Sequence, residues 1–285
     1  MPKCLARKEW FDLLENLSDT HVRIDFIVFE SGSQTICGGG VSKDPPLPLD
    51  GLSAKIEILM ARQNKNALIV FARDPVVGQV KTRLNPFLDL QTTCELYTCF
   101  LSDSLDTISA VESVDCFVGI YPSSVSGYFE QLDTSLSIST FVQEGKDLGE
   151  RMKSTFSARF AEGYEQVVII GADSPSLPLA YIRQAFGSKQ DVVLGPSVDG
   201  GYYLIGMRGK LINLFNGITW GGDTVLEETR CKLESNGVSL ELLPVWYDVD
   251  RSDDLIFLKT HLELMATVGH KEGASTQKFL STLSF

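Results

Sequence analysis

The chain reads as an α/β protein built on a mixed, mainly parallel sheet flanked by helices. Three observations predict this. From Asn66 onward, strand-length apolar runs alternate with longer helix-like segments, the rhythm of strands joined by crossover helices. The run Val167-Val168-Ile169-Ile170 is apolar without alternation, as in a strand buried on both faces. And 285 residues suffice to bury about three quarters of the unfolded surface, so no disulfide staple is needed.

Residues 1–64 stand outside that rhythm and are expected to be an N-terminal extension and linker. Within them 10–17 suits a short amphipathic helix, 22–29 a strand, and 31–51 a loop. That loop holds Gly38-Gly39-Gly40 and Pro45-Pro46-Leu47-Pro48, a composition better suited to a linker than to phosphate binding. Met60 lies six residues before the core and could be an alternative start. The core is expected over 65–270, with 271–285 as a tail.

Inside the core, strands are predicted at 67–71, 115–121, 138–143, 167–171, 191–195 and 202–206. Helices are predicted at 92–109, 148–164, 179–186, 223 to about 234, and 253–264. Crossovers between parallel strands should be right-handed. The sheet becomes mixed if 202–206 pairs antiparallel after the turn Asp199-Gly200-Gly201.

Composition excludes several classes. The formal charge is −12, which argues against nucleic-acid binding because that needs a basic face. An acidic protein that takes a phosphorylated ligand must gather its cations locally or recruit a metal. The six cysteines are scattered without a Cys-x2-Cys pair, as expected of reduced thiols in a cytoplasmic protein. Residues 1–11 are charged and lack the apolar stretch of a signal peptide. No apolar run approaches the about 20 residues of a membrane span. The histidines, His21, His261 and His270, lie outside the motifs below, which disfavours Ser-His-Asp hydrolysis and zinc catalysis. No Gly-x-Gly-x-x-Gly follows a strand, so a dinucleotide-binding Rossmann domain is a poor fit.

Six segments carry the candidate chemistry. Strand 67–71 runs into a loop with Pro75, Gly78, Lys81 and Arg83. Backbone can approach a ligand at Gly78, and Arg83 can grip two phosphate oxygens through its planar fork. The Walker spacing is absent, and a solvated basic turn is the plain alternative. Strand 167–171 delivers Asp173 to the ligand edge, where one or two carboxylates suffice for Mg2+ or, alternatively, cap a turn. In Trp246-Tyr247-Asp248-Val249-Asp250, two-residue spacing sends Asp248 and Asp250 to one side. Asp250 is the better metal candidate and Asp248 the second, while Ser252, Asp253 and Asp254 suit a helix start. Asp199-Gly200-Gly201-Tyr202 either turns a hairpin or presents Asp199 to a sugar hydroxyl as contact or base, with Tyr202 free to stack. Asp147, Gly149 and Arg151 open a helix whose amides could meet a base or phosphate, or Asp147 is an ordinary cap. Trp220, before the expected cap Asp223, either walls a pocket or packs.

In order, Pro75-x-x-Gly78-x-x-Lys81-Thr82-Arg83-Leu84, Asp147-Leu148-Gly149-Glu150-Arg151-Met152 and Gly171-Ala172-Asp173-Ser174-Pro175 resemble a known superfamily. Gly195-Pro196-Ser197-x-Asp199-Gly200-Gly201-Tyr202-Tyr203, Trp220-Gly221-x-Asp223-Thr224 and Asp248-Val249-Asp250-x-x-Asp253-Asp254-Leu255 complete the set. The chain resembles the nucleotide-diphospho-sugar transferase superfamily with its GT-A fold. More narrowly, it is similar to the glycosyltransferase family associated with arsenosugar biosynthesis. The resemblance spans residues 66–264. It implies a nucleotide or nucleotide sugar at the strand carboxyl ends, with Mg2+ or Mn2+ between Asp173 and the Asp250 region. The chain departs from the Asp-x-Asp pattern of many GT-A transferases, because position 175 is Pro; a ligand from the C-terminal motif is then more necessary. The first loop also resembles nucleotidyltransferases, including the guanylyltransferases acting on 2-phospholactate. Two reactions therefore fit, glycosyl transfer to a small-molecule acceptor and nucleotidyl transfer releasing pyrophosphate, beside a third reading as a non-catalytic nucleotide-binding protein. Lys81 and Asp199 are the catalytic candidates for either reaction, and Asp199, Gly200, Gly201, Tyr202 and Trp220 the substrate contacts.

Overall fold

Along the first core strand, Leu68, Val70 and Ala72 enter one apolar cluster while Ala67 and Ile69 enter another. The period-two alternation thus has both faces buried. The computed structural model describes residues 27–30, 33–36, 63–132 and 137–284. In the first of two compact units, β1 (Ile27–Glu30) and β2 (Ser33–Ile36) form an antiparallel hairpin with Glu30 opposite Ser33. β2 corrects the reading of 31–51 as loop, since 33–36 is a strand. The expected helix at 10–17, the Gly38–Gly40 and Pro45–Pro48 stretches and the start at Met60 lie outside the described residues.

In the second unit β3 (Asn66–Arg73) is central. It pairs in parallel with β4 (Val114–Tyr121) on one side and β6 (Gln166–Gly171) on the other. β5 (Ile138–Val142) extends the β4 side in parallel. β8 (Tyr202–Arg208) runs antiparallel to both β6 and β7 (Val192–Pro196), so the sheet is mixed. The short β9 (Leu240–Leu242), which the sequence reading missed, pairs in parallel with β7. The order is β5-β4-β3-β6-β8-β7-β9. The chain lays β4 and β5 on one side of β3 and then returns to lay β6 on the other. The carboxyl ends of β3 and β6 therefore flank a topological switch point, where open α/β sheets take their ligands.

Helices cover both faces. α1 (Leu90–Ser109), α3 (Leu179–Gly187), α5 (Ser252–Thr267) and α6 (Ala274–Leu280) share the cluster of Leu68 and Val70. α2 (Leu148–Ala161) and α4 (Val225–Asn236) supply Met152, Phe156 and Leu233 to the other. Asp89 caps α1 by accepting from Thr92 N at 2.9 Å, and Asp147 caps α2 by accepting from Glu150 N at 2.8 Å. Two expected caps shift by one residue: Thr224 rather than Asp223 precedes α4, and Arg251 rather than Ser252 precedes α5. The segment expected as a tail carries α6, whose Leu280 is fully buried. Cys94, Cys99, Cys116 and Cys231 are free thiols. No helix among the described residues is long and apolar enough to cross a membrane.

Candidate active site

The loop leaving β3 is fixed at both ends by burial. Asp74, a residue the sequence reading passed over, is buried and accepts from Val125 N, Ser126 N and Ser126 Oγ at 2.6–2.8 Å. It thereby ties the β3 exit to the β4 exit. Pro75 accepts from Cys94 Sγ at 3.3 Å, and Leu84, closing a short 3-10 turn, is fully buried. Between them the backbone turns through Gly78, at φ 78°. Lys81 is left-handed too, at φ 47° and ψ 37°, a conformation costing about 1–2 kcal/mol for a residue with a side chain.

For Lys81 the plain alternative of a solvated basic turn does not hold. Its side chain is 5% exposed, and Nζ sits 2.6 Å from Asp173 and 2.9 Å from Asp250. Arg83 stays 65% exposed and meets the other Asp250 oxygen at 3.1 Å. Residues 81, 173 and 250 thus converge from three distant stretches of chain. Backbone explains the convergence: Val249 N donates to Asp173 O at 2.9 Å, and Trp246 N and O bond Pro196 O and Val198 N. Ser176 Oγ adds a side-chain tie to Tyr247 OH at 2.9 Å and accepts from Trp246 Nε1.

Electrostatics follow from that geometry. Burial works against the Lys81 ammonium, but Asp173 and Asp250 outweigh it and hold its pKa above the ordinary lysine value. For Asp250, burial would raise the carboxyl, yet Lys81, with help from Arg83 and Arg251, holds it below the usual range. Asp248 behaves oppositely. The residue is half-buried, and its carboxylate accepts from Ser174 Oγ and, at 3.2 Å, from Ser197 Oγ. Burial, then the nearby Asp173 charge, pushes it up to about 6. Alternation was expected to send Asp248 and Asp250 to one side. Their oxygens are committed to different partners, serines for one and cations for the other.

The oxygens suit a hard divalent ion. Asp173 and Asp250 already converge on one positive atom, and their side chains remain 47% and 35% exposed, with room for phosphate and water as further ligands. Among the described residues no three His, Cys, Asp or Glu side chains form a closed metal cage. Asp248, whose oxygens meet two serines, stands apart from the Asp173–Asp250 pair.

The other expected contacts divide. Asp199 is exposed in the β7–β8 turn, where its Oδ1 accepts from Gly201 N at 3.0 Å, and it lies close enough to raise Asp248 slightly. Gly200, at φ 92°, is pressed against the Asp223 backbone so closely that a Cβ would collide. Tyr202 and Trp220 meet edge-on at 6.5 Å between centroids, and Trp220 also packs on Gly149 and Phe215. Both rings pack here more than they line open space. Arg151, in the first turn of α2, stacks on the Tyr121 ring with its guanidinium carbon 4.0 Å from the centroid. A separate hollow lined by Val111, Glu112, Arg183 and Phe186 sits at the amino ends of β4 and β7, away from this chemistry.

Three comparisons bear on the arrangement. A family model described as an uncharacterized protein conserved in bacteria (DUF2064) matches residues 104–222. A crystal structure from Desulfovibrio desulfuricans G20, provisionally described as a nucleotide-diphospho-sugar transferase, superposes with a TM-score of 0.69 at 30% identity. The alignment covers 77% of this chain and 95% of that one. The 2-phospho-L-lactate guanylyltransferase of Methanosarcina mazei is 25% identical over 187 residues, 64% of this chain and 81% of the relative.

Proposed function

This chain belongs to the nucleotide-diphospho-sugar transferase superfamily, and from that membership we propose that it is a metal-dependent glycosyltransferase using a nucleotide-diphosphate sugar. The observation that carries the reading is the Lys81 ammonium held between Asp173 and Asp250 at the switch point, with Arg83 open to solvent beside it. A diphosphate approaching this edge meets Arg83 first. Its charge then competes with the two aspartates for Lys81, and each aspartate oxygen it frees becomes available to a cation. Asp173 and Asp250 would hold Mg2+ or Mn2+, which would neutralise the leaving diphosphate. In the transfer the sugar C1–O bond to the diphosphate breaks and a bond to an acceptor oxygen forms. The acceptor proton passes to a base, and Asp199, exposed in the adjoining turn, is the candidate.

A second reading is supported by the guanylyltransferase relative. In nucleotidyl transfer a substrate phosphate would attack the α-phosphate of a nucleoside triphosphate and pyrophosphate would leave, with Lys81 and Arg83 stabilising the developing charge. Product identity separates the two. Purified protein with Mn2+ or Mg2+ is offered pooled nucleotide sugars or pooled nucleoside triphosphates with a cell-extract acceptor pool, against Asp173→Ala. Nucleoside diphosphate from the sugar pool is the expected result. Pyrophosphate from the triphosphate pool would replace the first reading by the second, and absence of turnover with every pool would favour a non-catalytic nucleotide binder.

A further inference from the structure

Beside the Lys81 cluster, on the same edge of the sheet, two arginines share one aromatic ring and have no carboxylate within ion-pair distance among the described residues. Arg73 ends β3 and Tyr121 ends β4, directly opposite each other in the parallel register. The Arg73 guanidinium lies 5.7 Å from the Tyr121 centroid, and that of Arg151 lies 4.0 Å from the same ring. Arg83, Arg159 and Arg230 each pair with a carboxylate. Among the described residues none pairs with Arg73 or Arg151. The Arg151 Nε is buried without a hydrogen-bond partner. Burial depresses the Arg151 pKa, and the adjacent Arg73 charge adds to the effect, against the opposing pull of Tyr121 and Asp147. Two like charges gathered on one ring, with Asp147 acting on Arg151 only from beyond ion-pair distance, leave an excess of positive charge that an anion would complete.

We infer that Arg73 and Arg151, held on Tyr121, form a second anion subsite that takes a phosphate or carboxylate group of the substrate. Tyr97 gives the two subsites a common floor. It is buried, its hydroxyl accepts from Arg73 N at 2.9 Å, and it lies within electrostatic reach of Asp173. One substrate could therefore present one charged group to Lys81 and Arg83 and another to Arg73 and Arg151. The donor or acceptor is then a molecule with two separated anionic groups, or with a diphosphate spanning both. Only the word substrate rests on the transferase reading; the subsite stands on the unpaired arginines.

The two subsites differ in what occupies them without metal. Lys81 and Arg83 are engaged by aspartates, whereas Arg73 and Arg151 have no carboxylate within ion-pair distance among the described residues. In EDTA, inorganic pyrophosphate should therefore bind at the second subsite. Calorimetric titration of the full chain is expected to show binding that weakens about tenfold or more in Arg73→Gln/Arg151→Gln. Arg83→Gln should change it by less than about threefold. A parallel titration with malonate distinguishes the sources: binding that depends on the same two arginines assigns a carboxylate as well as a phosphate. If the double variant does not fold, Arg73→Gln alone, at an exposed position, should still weaken binding by about threefold or more. Absence of binding of either anion to the wild type would overturn the inference. So would an equal or greater loss in Arg83→Gln, or unchanged affinity in the Arg73 variant. None of these readings uses turnover, so they stand apart from any failure of the product assay.

Discussion

Lys81 occupies, in this structure, the position a divalent ion would need to share. Replacing it with Met leaves Asp173 without its cation and Asp250 with Arg83 alone. Lys81→Met should therefore bind Mn2+ more tightly in the absence of nucleotide, as calorimetry would show, while losing about 2 kcal/mol of stability and most of its affinity for a nucleoside diphosphate. Mn2+ affinity equal to wild type would mean that the two carboxylates are not the metal ligands. Asp248 gives a second test at this scale. Burial raises its folded pKa to about 6 from an ordinary value of 3.8, so the folded state keeps a proton that the unfolded chain releases first. The stabilising contribution is complete below the unfolded value and is lost as pH rises through the folded one. Asp248→Asn lacks this loss. Its stability relative to wild type should therefore improve by about 2–3 kcal/mol between pH 4 and 7, read by urea unfolding at each pH. A pH-independent difference would place the Asp248 carboxylate in a solvated setting. Lys81, Arg83 and Asp173 were legible as candidates because they follow apolar strands that end at the ligand edge, and Asp250 by its two-residue spacing from Asp248 before a helix start. Ser174 and Ser197 were not, since their value lies in reaching one buried carboxylate from positions 74 and 51 residues away.

Among the elements, α6 shows what a sequence pattern leaves unsaid. Its first residues, Ala274-Ser275-Thr276-Gln277-Lys278, are short, polar and preceded by Gly273, so nothing local announces a helix. What starts it is Asp103, buried on α1, whose two oxygens accept from Ser275 N and Thr276 N at 2.8 and 2.9 Å. The cap is thus supplied by another helix, and no local rule can read it. Asp103→Ala would leave two backbone donors without their acceptor and a void under α6. It should cost about 2–3 kcal/mol, seen as a lower Tm, and hydrogen exchange should rise at Ser275 and Thr276 ahead of the sheet. Protection unchanged at those two amides would show that α6 is held by Leu280 and its neighbours alone. The strands of the core were legible for the converse reason. β3 and β6 are apolar at consecutive positions because both their faces are covered, and burial leaves little freedom in composition. β9 escaped because it is an edge strand of three residues with both leucines exposed, too short and too solvated to carry a pattern.

At the scale of the molecule, the site exists only when both ends of the second unit are in place. β3 is paired on both sides, so every strand of the sheet is registered directly or through neighbours to residues 66–73. Asp250 is 169 residues from Lys81, and Val249 beside it is fully buried. The stretch 104–222 matched by the family model lacks β3, β9, Asp250 and the Lys81 loop. Taken alone it would expose the inner edges of both β4 and β6. The ladders of the seven-stranded sheet, by contrast, begin at Asn66, and residues before 63 supply none of them among the described residues. A chain begun at Met60 should therefore unfold in one cooperative transition with a Tm within about 5 °C of the full chain. It should also keep its affinity for nucleoside diphosphate. The fragment 104–222 should show no such transition. Loss of nucleotide affinity in the Met60 chain, with its transition intact, would mean that the first 59 residues contribute directly to the ligand site. Loss of the transition itself would make them part of the core.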